Sequence, residues 1–271
     1  MPLFARSVQP AIPPPRFYDG RMTADAASSP RLGLALGGGG ALGAAHVGVL
    51  EVLEERGIRP HIVVGTSIGS LVGAAYAAGM PLAELKAHTL EATWSDFGAL
   101  TLTPGLGILD TAGLKDSITR MAGTEILIED LPLRYAAIAA DLSTRSPVII
   151  DSGPVADAVA ASCSVPGLFR PTRLGGHLYV DGGVLQNLPL ESTFALGADY
   201  VIGVRLAPEW DALPIMRTAT HVHEFEIRND VTVIRPRLGT RSQWIARDLP
   251  ELVQLGREAA ERDLPATLPT P

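Results

Sequence analysis

Two strand-to-helix turns, each rich in glycine, constrain this chain more than any other feature. The first runs from LGLAL (residues 32–36) through GGGGALG (37–43) into AAHVGVLEVLEERG. The second runs from HIVVG (61–65) straight into TSIGSLVGAAYAAG. Short apolar strands that turn at once into helical stretches predict parallel strands joined by right-handed crossovers, the α/β class. In the first helix Val47, Leu50 and Glu54 share one face, and Ala45, Val49 and Leu53 share another. That helix has a broad apolar side, and Gly57 ends it.

The same reading extends along the chain. Further strands are expected at 133–140, 148–151, 177–180, 200–206 and 231–235. Helices are expected at about 81–93, 110–122, 154–162, 189–196 and 248–262, the last with Asp248 as N-cap and Pro250 in its first turn. Residues 1–30, rich in Pro and Ala, read as a disordered arm, and 265–271 as a disordered tail. One domain, 31–264, lies between them without a linker-like break. The apolar, aperiodic stretch 94–109 suits either a core-edge loop or the border of an apolar pocket.

Ser67 stands at the apex of Gly65-Thr66-Ser67-Ile68-Gly69, between an apolar strand and a helix of small residues. This is the layout of a nucleophile elbow, in which a strained serine is presented above a sheet edge at a helix N-terminus. Gly65 and Gly69 let strand and helix approach closely. The run at 37–43 contains Gly38, Gly40 and Gly43 in a dinucleotide-like spacing. The second strand, however, ends in Gly65-Thr66-Ser67 and not in the acidic residue a ribose needs, and no Gly-Lys-Ser/Thr follows. The run reads better as an oxyanion hole. Successive N–H groups in a glycine turn form a concave donor site, and adjacent parallel strands would put Gly38, Gly39, Gly40 and Ala41 at the same sheet edge as Ser67.

Serine attack needs a proton acceptor. Of the six histidines, His221 and His223 are the two in the right order for a Ser…Asp…His triad. The competing group is Asp181, which ends an apolar strand and enters Asp181-Gly182-Gly183. Strand ends of this kind gather the active groups of open α/β sheets. A carboxylate there would need burial to become a useful base. Asp before glycine also suits a plain turn.

Charge and cysteine content narrow the partners. The net charge of −7 and a pI near 5.4 argue against nucleic acid, whose phosphates need a basic patch, and leave lipid substrates open. Cys163 is the one cysteine, so no internal disulfide forms, and a reducing, cytoplasmic setting fits. No stretch reaches 18 apolar residues, and the first residues, broken by prolines, do not form a signal peptide. No ligand cluster has metal-site spacing, and no cofactor is expected. No amphipathic basic helix is evident that would anchor the chain to a membrane.

Taken together, Gly38-Gly39-Gly40 with Gly43, Gly65-Thr66-Ser67-Ile68-Gly69 and Asp181-Gly182-Gly183 resemble the patatin-like phospholipase family, in its bacterial branch related to the neuropathy target esterase catalytic domain. ASCSVPGLFRP (161–171) and VLQNLP (184–189) look like that family's intervening blocks, and the likeness spans about residues 32–261. The resemblance implies a three-layer α/β/α fold akin to the cytosolic phospholipase A2 catalytic domain, with a mostly parallel sheet. It implies a Ser67–Asp181 dyad without a catalytic histidine, and cleavage of acyl esters of phospholipids, lysophospholipids or neutral lipids. Transient contact with a membrane surface would follow from such a substrate; oligomeric state is left open. One departure stands out: Leu42 occupies the position where the family usually carries Arg or Lys.

Overall fold

Strand β1 (Leu32–Leu36) is buried along its whole length, as a strand must be when helices cover both faces of a parallel sheet. Its side chains alternate. Leu34 and Leu36 join one hydrophobic cluster, and Ala35 joins another on the opposite face. The computed structural model describes residues 30–91, 99–100, 109–122, 124–206 and 224–268. The expected arm up to residue 29, the 94–109 stretch apart from two short strand pieces, His221, His223 and residues 269–271 lie outside the described residues.

The chain continues through α1 (Ala44–Glu55), β2 (Ile62–Thr66), α2 (Ile68–Ala77) and α3 (Leu82–Glu91). A small antiparallel pair, β3 (Ala99–Leu100) and β4 (Leu109–Asp110), precedes α4 (Ala112–Ala122). Then follow β5 (Arg134–Asp141), β6 (Ser146–Ile150), α5 (Val155–Ser162), β7 (Thr172–Leu174) and β8 (His177–Asp181). The last elements are α6 (Leu190–Ala195), β9 (Tyr200–Val204), β10 (Val231–Ile234) and α7 (Leu249–Asp263). The main sheet has eight strands in the order β10-β9-β1-β2-β5-β8-β7, with β6 paired to β5 off that path. Neighbours among β10, β9, β1, β2 and β5 are parallel; β6, β7 and β8 pair antiparallel. The larger cluster packs α1, α2 and α7 against one face, while Leu188, Leu190 and Leu196, in and beside α6, cover the other. This is the three-layer arrangement, with a mostly parallel sheet.

Three details differ from the sequence reading. Residues 172–174 form β7, too short for a periodic signal, and its partner β8 then runs opposite to β5. Asp248 sits at the N-cap position of α7 in the left-handed region (φ 55°), but its side chain caps nothing. Leu268, placed by composition in a disordered tail, packs against the larger core cluster.

Candidate active site

β5 carries the geometry that matters. One of its edges is taken up by β6 along residues 137–141. The other edge is shared: β2 pairs with it up to Thr66 opposite Ile138, and β8 takes over with Asp181 opposite Ala139. β2 and β8 therefore arrive from opposite directions and meet end to end. The carboxyl end of each strand abuts the other, so Ser67, next after Thr66, and Asp181 become neighbours. Asp181 thus reaches the active edge of the parallel strands on a strand running against them.

Ser67 has φ 54° and ψ −126°, a conformation that costs a non-glycine residue about 1–3 kcal/mol. The surroundings hold it there. Its N–H donates to Ser162 Oγ at 2.8 Å, and that hydroxyl donates to the Ile138 carbonyl at 2.6 Å. Its carbonyl accepts the Ser70 hydroxyl at 2.6 Å and the Ser70 N–H at 2.8 Å. Tyr135 donates to the Ser70 carbonyl at 2.8 Å. Gly65 and Gly69 do what their spacing implies. A side chain on Gly65 would overlap the Gly69 backbone, and one on Gly69 would overlap the Leu36 carbonyl.

Asp181 divides its two oxygens between two jobs. Oδ1 accepts the Gly183 N–H at 2.7 Å and makes the turn. Oδ2 is buried with no hydrogen-bond partner. The Ser67 hydroxyl is close enough to favour the charged carboxylate. Burial pushes the Asp181 carboxyl up to about 6, against the pull of Ser67 and the Gly183 N–H. The result is a carboxylate that can accept a proton near neutral pH. If Asp181 is the base, kcat/KM for a soluble ester should climb as pH rises through about 6 and level off above it. A profile flat from pH 5 to 8 (roughly two units around that value) would remove Asp181 from the role.

The glycine run lies beside the elbow. β1 and β2 are adjacent, with Leu36 opposite Gly65. A side chain on Gly38 would stand 3.2 Å from Ser67 Cβ. The expected donor set narrows from four N–H groups to two. Gly38 N–H donates to the Asn187 carbonyl at 3.1 Å, and Ala41 N–H to the Gln243 carbonyl at 2.9 Å. Those two groups are committed to the chain itself. Gly39 and Gly40 have no such partner among the described residues, and Gly40 turns at φ +54°. Gly43 lies where a side chain would strike Ile68. Gly182 packs on the Ile138 carbonyl, and Gly183 beside Asn187.

Several supporting residues have roles that the sequence did not disclose. His46, within α1, is fully buried, and its Nε2 bonds the Gly37 carbonyl at 2.8 Å. Burial pushes its ring down to about 4, so it is neutral and donates through Nε2, bracing the run from behind. Nδ1 has no partner. The ASCSVPG block grips both halves of the site: Ser162 holds Ser67, and the Ser164 carbonyl accepts the Asp181 N–H at 2.8 Å. The VLQNLP block ties the rest together, with the Gln186 carbonyl taking the Thr66 hydroxyl at 2.9 Å and the Asn187 carbonyl taking Gly38. Leu42 points into the core at 3% exposure and does not line the cavity. Its aliphatic side chain is thus a packing choice there.

Above Ser67 and Asp181 opens a cavity of about 410 Å³. Ile68, Leu71, Val72 and Ala75 of α2, Leu85 of α3, Leu114 and Ile118 of α4, and Val165, Leu168 and Phe169 line it. Such walls suit a hydrocarbon chain. Cys163 also lines it; burial pushes its thiol up, which keeps it protonated and a poor nucleophile. Of the other histidines, His61 accepts the Leu32 N–H at 3.1 Å, His177 pairs with Asp141 at 2.8 Å, and His88 lines the cavity 3.6 Å from Glu84. No group of three or more His, Cys, Asp or Glu among the described residues could hold a metal ion. No helix among them is long and apolar enough to cross a membrane.

The family model described as patatin-like phospholipase matches residues 34–194. An uncharacterized NTE family protein of Mycobacterium tuberculosis is 38% identical over 195 residues, covering 69% of this chain and 53% of that protein. Lysophospholipase NTE1 of Debaryomyces hansenii is 33% identical over 194 residues, covering 69% of this chain and 12% of that protein. The chain thus spans about half the length of the first of these relatives, and far less of the second. Among solved structures, VipD of Legionella pneumophila superposes with a TM-score of 0.52 at 14% identity, over 87% of this chain and 67% of that one.

Proposed function

The chain belongs to the patatin-like phospholipase family, and from that premise we propose that it hydrolyses carboxylic esters of lipids through a Ser67 acyl-enzyme. One observation carries the reading. A strained serine and a buried carboxylate with an unpartnered oxygen stand together at the floor of an apolar cavity.

In the proposed reaction Ser67 Oγ attacks the acyl carbonyl carbon, and its proton passes to Asp181 Oδ2. The carbonyl oxygen gathers negative charge, which the Gly39 and Gly40 N–H groups receive, helped by the N-terminus of α2. The bond to the alcohol breaks, and Asp181 returns the proton to the departing oxygen. Water then attacks the acyl-serine, Asp181 takes its proton and passes it to Ser67 Oγ, and Ser67 leaves as the free hydroxyl with the fatty acid released. The acyl chain occupies the cavity between α2, α3 and α4. His46 stays neutral and holds the Gly37 carbonyl, so the run keeps its shape as charge develops.

A fluorophosphonate probe tests the reading directly. Mass spectrometry of the treated protein should find the phosphonyl adduct on Ser67. An unlabelled protein, beside a control serine hydrolase that labels, would refute the covalent mechanism.

A further inference from the structure

Large apolar side chains that face water are few among the described residues: Leu90, Leu142, Ile227, Trp244 and Ile245. Single exposed apolar residues are ordinary. These are not evenly spread. Trp244 (42% exposed) and Ile245 (48%) are consecutive in one surface turn, and Gln243, Trp244 and Ala246 of that turn line the rim of the cavity. Leu90 lies in the last turn of α3, whose Leu85, His88 and Thr89 line the same cavity. An apolar tip has therefore been placed at the mouth of an apolar pocket.

The segment that carries the tip is rich in arginine. Residues 235–248 carry Arg235, Arg237, Arg241 and Arg247 against the single carboxylate Asp248, in a chain of net charge −7. Arg235 pairs with Glu226 at 3.0 Å and Arg241 with Glu251 at 2.6 Å. Arg237 and Arg247 are exposed and have no ion pair among the described residues. Trp and Ile side chains flanked by arginines match the chemistry of a lipid surface with anionic headgroups. The apolar tips enter the acyl boundary, and the guanidinium groups meet phosphate.

We infer that the turn containing Trp244, Ile245 and Arg247 docks the protein on an anionic lipid surface, with the mouth of the cavity facing the bilayer. The turn is also bonded to the catalytic edge, because the Gln243 carbonyl holds the Ala41 N–H. Docking thus sets the glycine run and the pocket rim against the layer from which an acyl chain would be drawn. The inference rests on the lipid hydrolase reading, but vesicle binding and ester hydrolysis are separate measurements.

The test is co-sedimentation of the full chain with phosphatidylcholine vesicles, with and without phosphatidylglycerol, for wild type, Ile245→Glu, Arg247→Glu and Ser67→Ala. Hydrolysis of a short soluble ester is assayed in parallel. Wild type and S67A should bind the phosphatidylglycerol vesicles, weakly in high salt, and bind pure phosphatidylcholine less. I245E and R247E should each lose about fivefold or more in vesicle affinity while keeping their activity on the soluble ester. Equal binding by all four proteins, equal binding to both vesicles, or no binding by wild type that hydrolyses the soluble ester would each overturn the docking turn. Binding by a wild type that hydrolyses nothing would leave the turn standing and remove the hydrolase reading instead.

Discussion

Asp181→Asn is expected to cut kcat on any ester substrate by about 10⁴-fold, the upper range for loss of a positioned base, and to make the protein more stable. The first effect follows from Oδ2, the oxygen that takes the proton of Ser67 in the proposed reaction and has no other partner. An amide cannot take it. The second effect follows from the same burial. A carboxyl raised from 3.8 to about 6 is one whose charge the folded protein tolerates poorly. The sign is fixed by linkage: the native state holds the proton more tightly than the unfolded chain, so ionisation disfavours folding. That penalty is absent below the unfolded value, grows between about 4 and 6, and is complete above. A shift of this size corresponds to something on the order of 3 kcal/mol at neutral pH. Asn keeps an oxygen for the Gly183 N–H and removes the charge. D181N should therefore melt roughly 10 °C above wild type at pH 8 and match it closely at pH 4. Equal melting temperatures at pH 8, or a variant that retains most of its kcat, would each tell against the assignment.

Gly69→Ala should be the most destabilising change. The added methyl group would overlap the Leu36 carbonyl oxygen and stand 2.7 Å from that of Gly37. Both are backbone atoms, and neither can rotate away. α2 would have to lift from β1, taking the strained Ser67 and its contacts with Ser162 and Ser70 with it. Overpacking of this kind costs about 3 kcal/mol, which lowers the melting temperature by roughly 10 °C in a domain of this size. Whatever folds should be nearly inactive. Differential scanning calorimetry decides it; a fall smaller than about 2 °C would mean that the elbow yields more easily than its contacts imply.

The parts of this site legible in the sequence are those encoded locally. A buried strand, a turn and a helix of small residues declare Ser67, because the elbow's glycines must sit at fixed offsets from it. Asp181 was legible as a carboxylate at a strand end, but the direction of its strand was not. Nothing within HLYVD says whether β8 runs with or against β5; the short β7 before it decides that. The blocks that hold Ser162, Ser164 and Asn187 were legible by resemblance, but the roles of these residues and of Gln243 were hidden, because they act through contacts with residues far away in sequence. His46 reads as one more residue on a helix until burial and the Gly37 carbonyl give it a task. The donor set behaved similarly. The glycine run announces many N–H groups, and only the tertiary acceptors on Asn187 and Gln243 show which two are taken.

The head-to-head meeting of β2 and β8 also bears on when the site comes into being. As a chain emerges from the ribosome, β1, β2 and the Ser67 elbow are made first, and the carboxylate follows more than a hundred residues later. The carbonyl that steadies Ala41 comes later still, at Gln243. Until β5 offers its shared edge to the returning strand, the serine has no carboxylate beside it. Under the proposed mechanism, a chain in which β8 has not yet paired with β5 would carry the Ser67 elbow without its base, so hydrolysis would await the placing of Asp181.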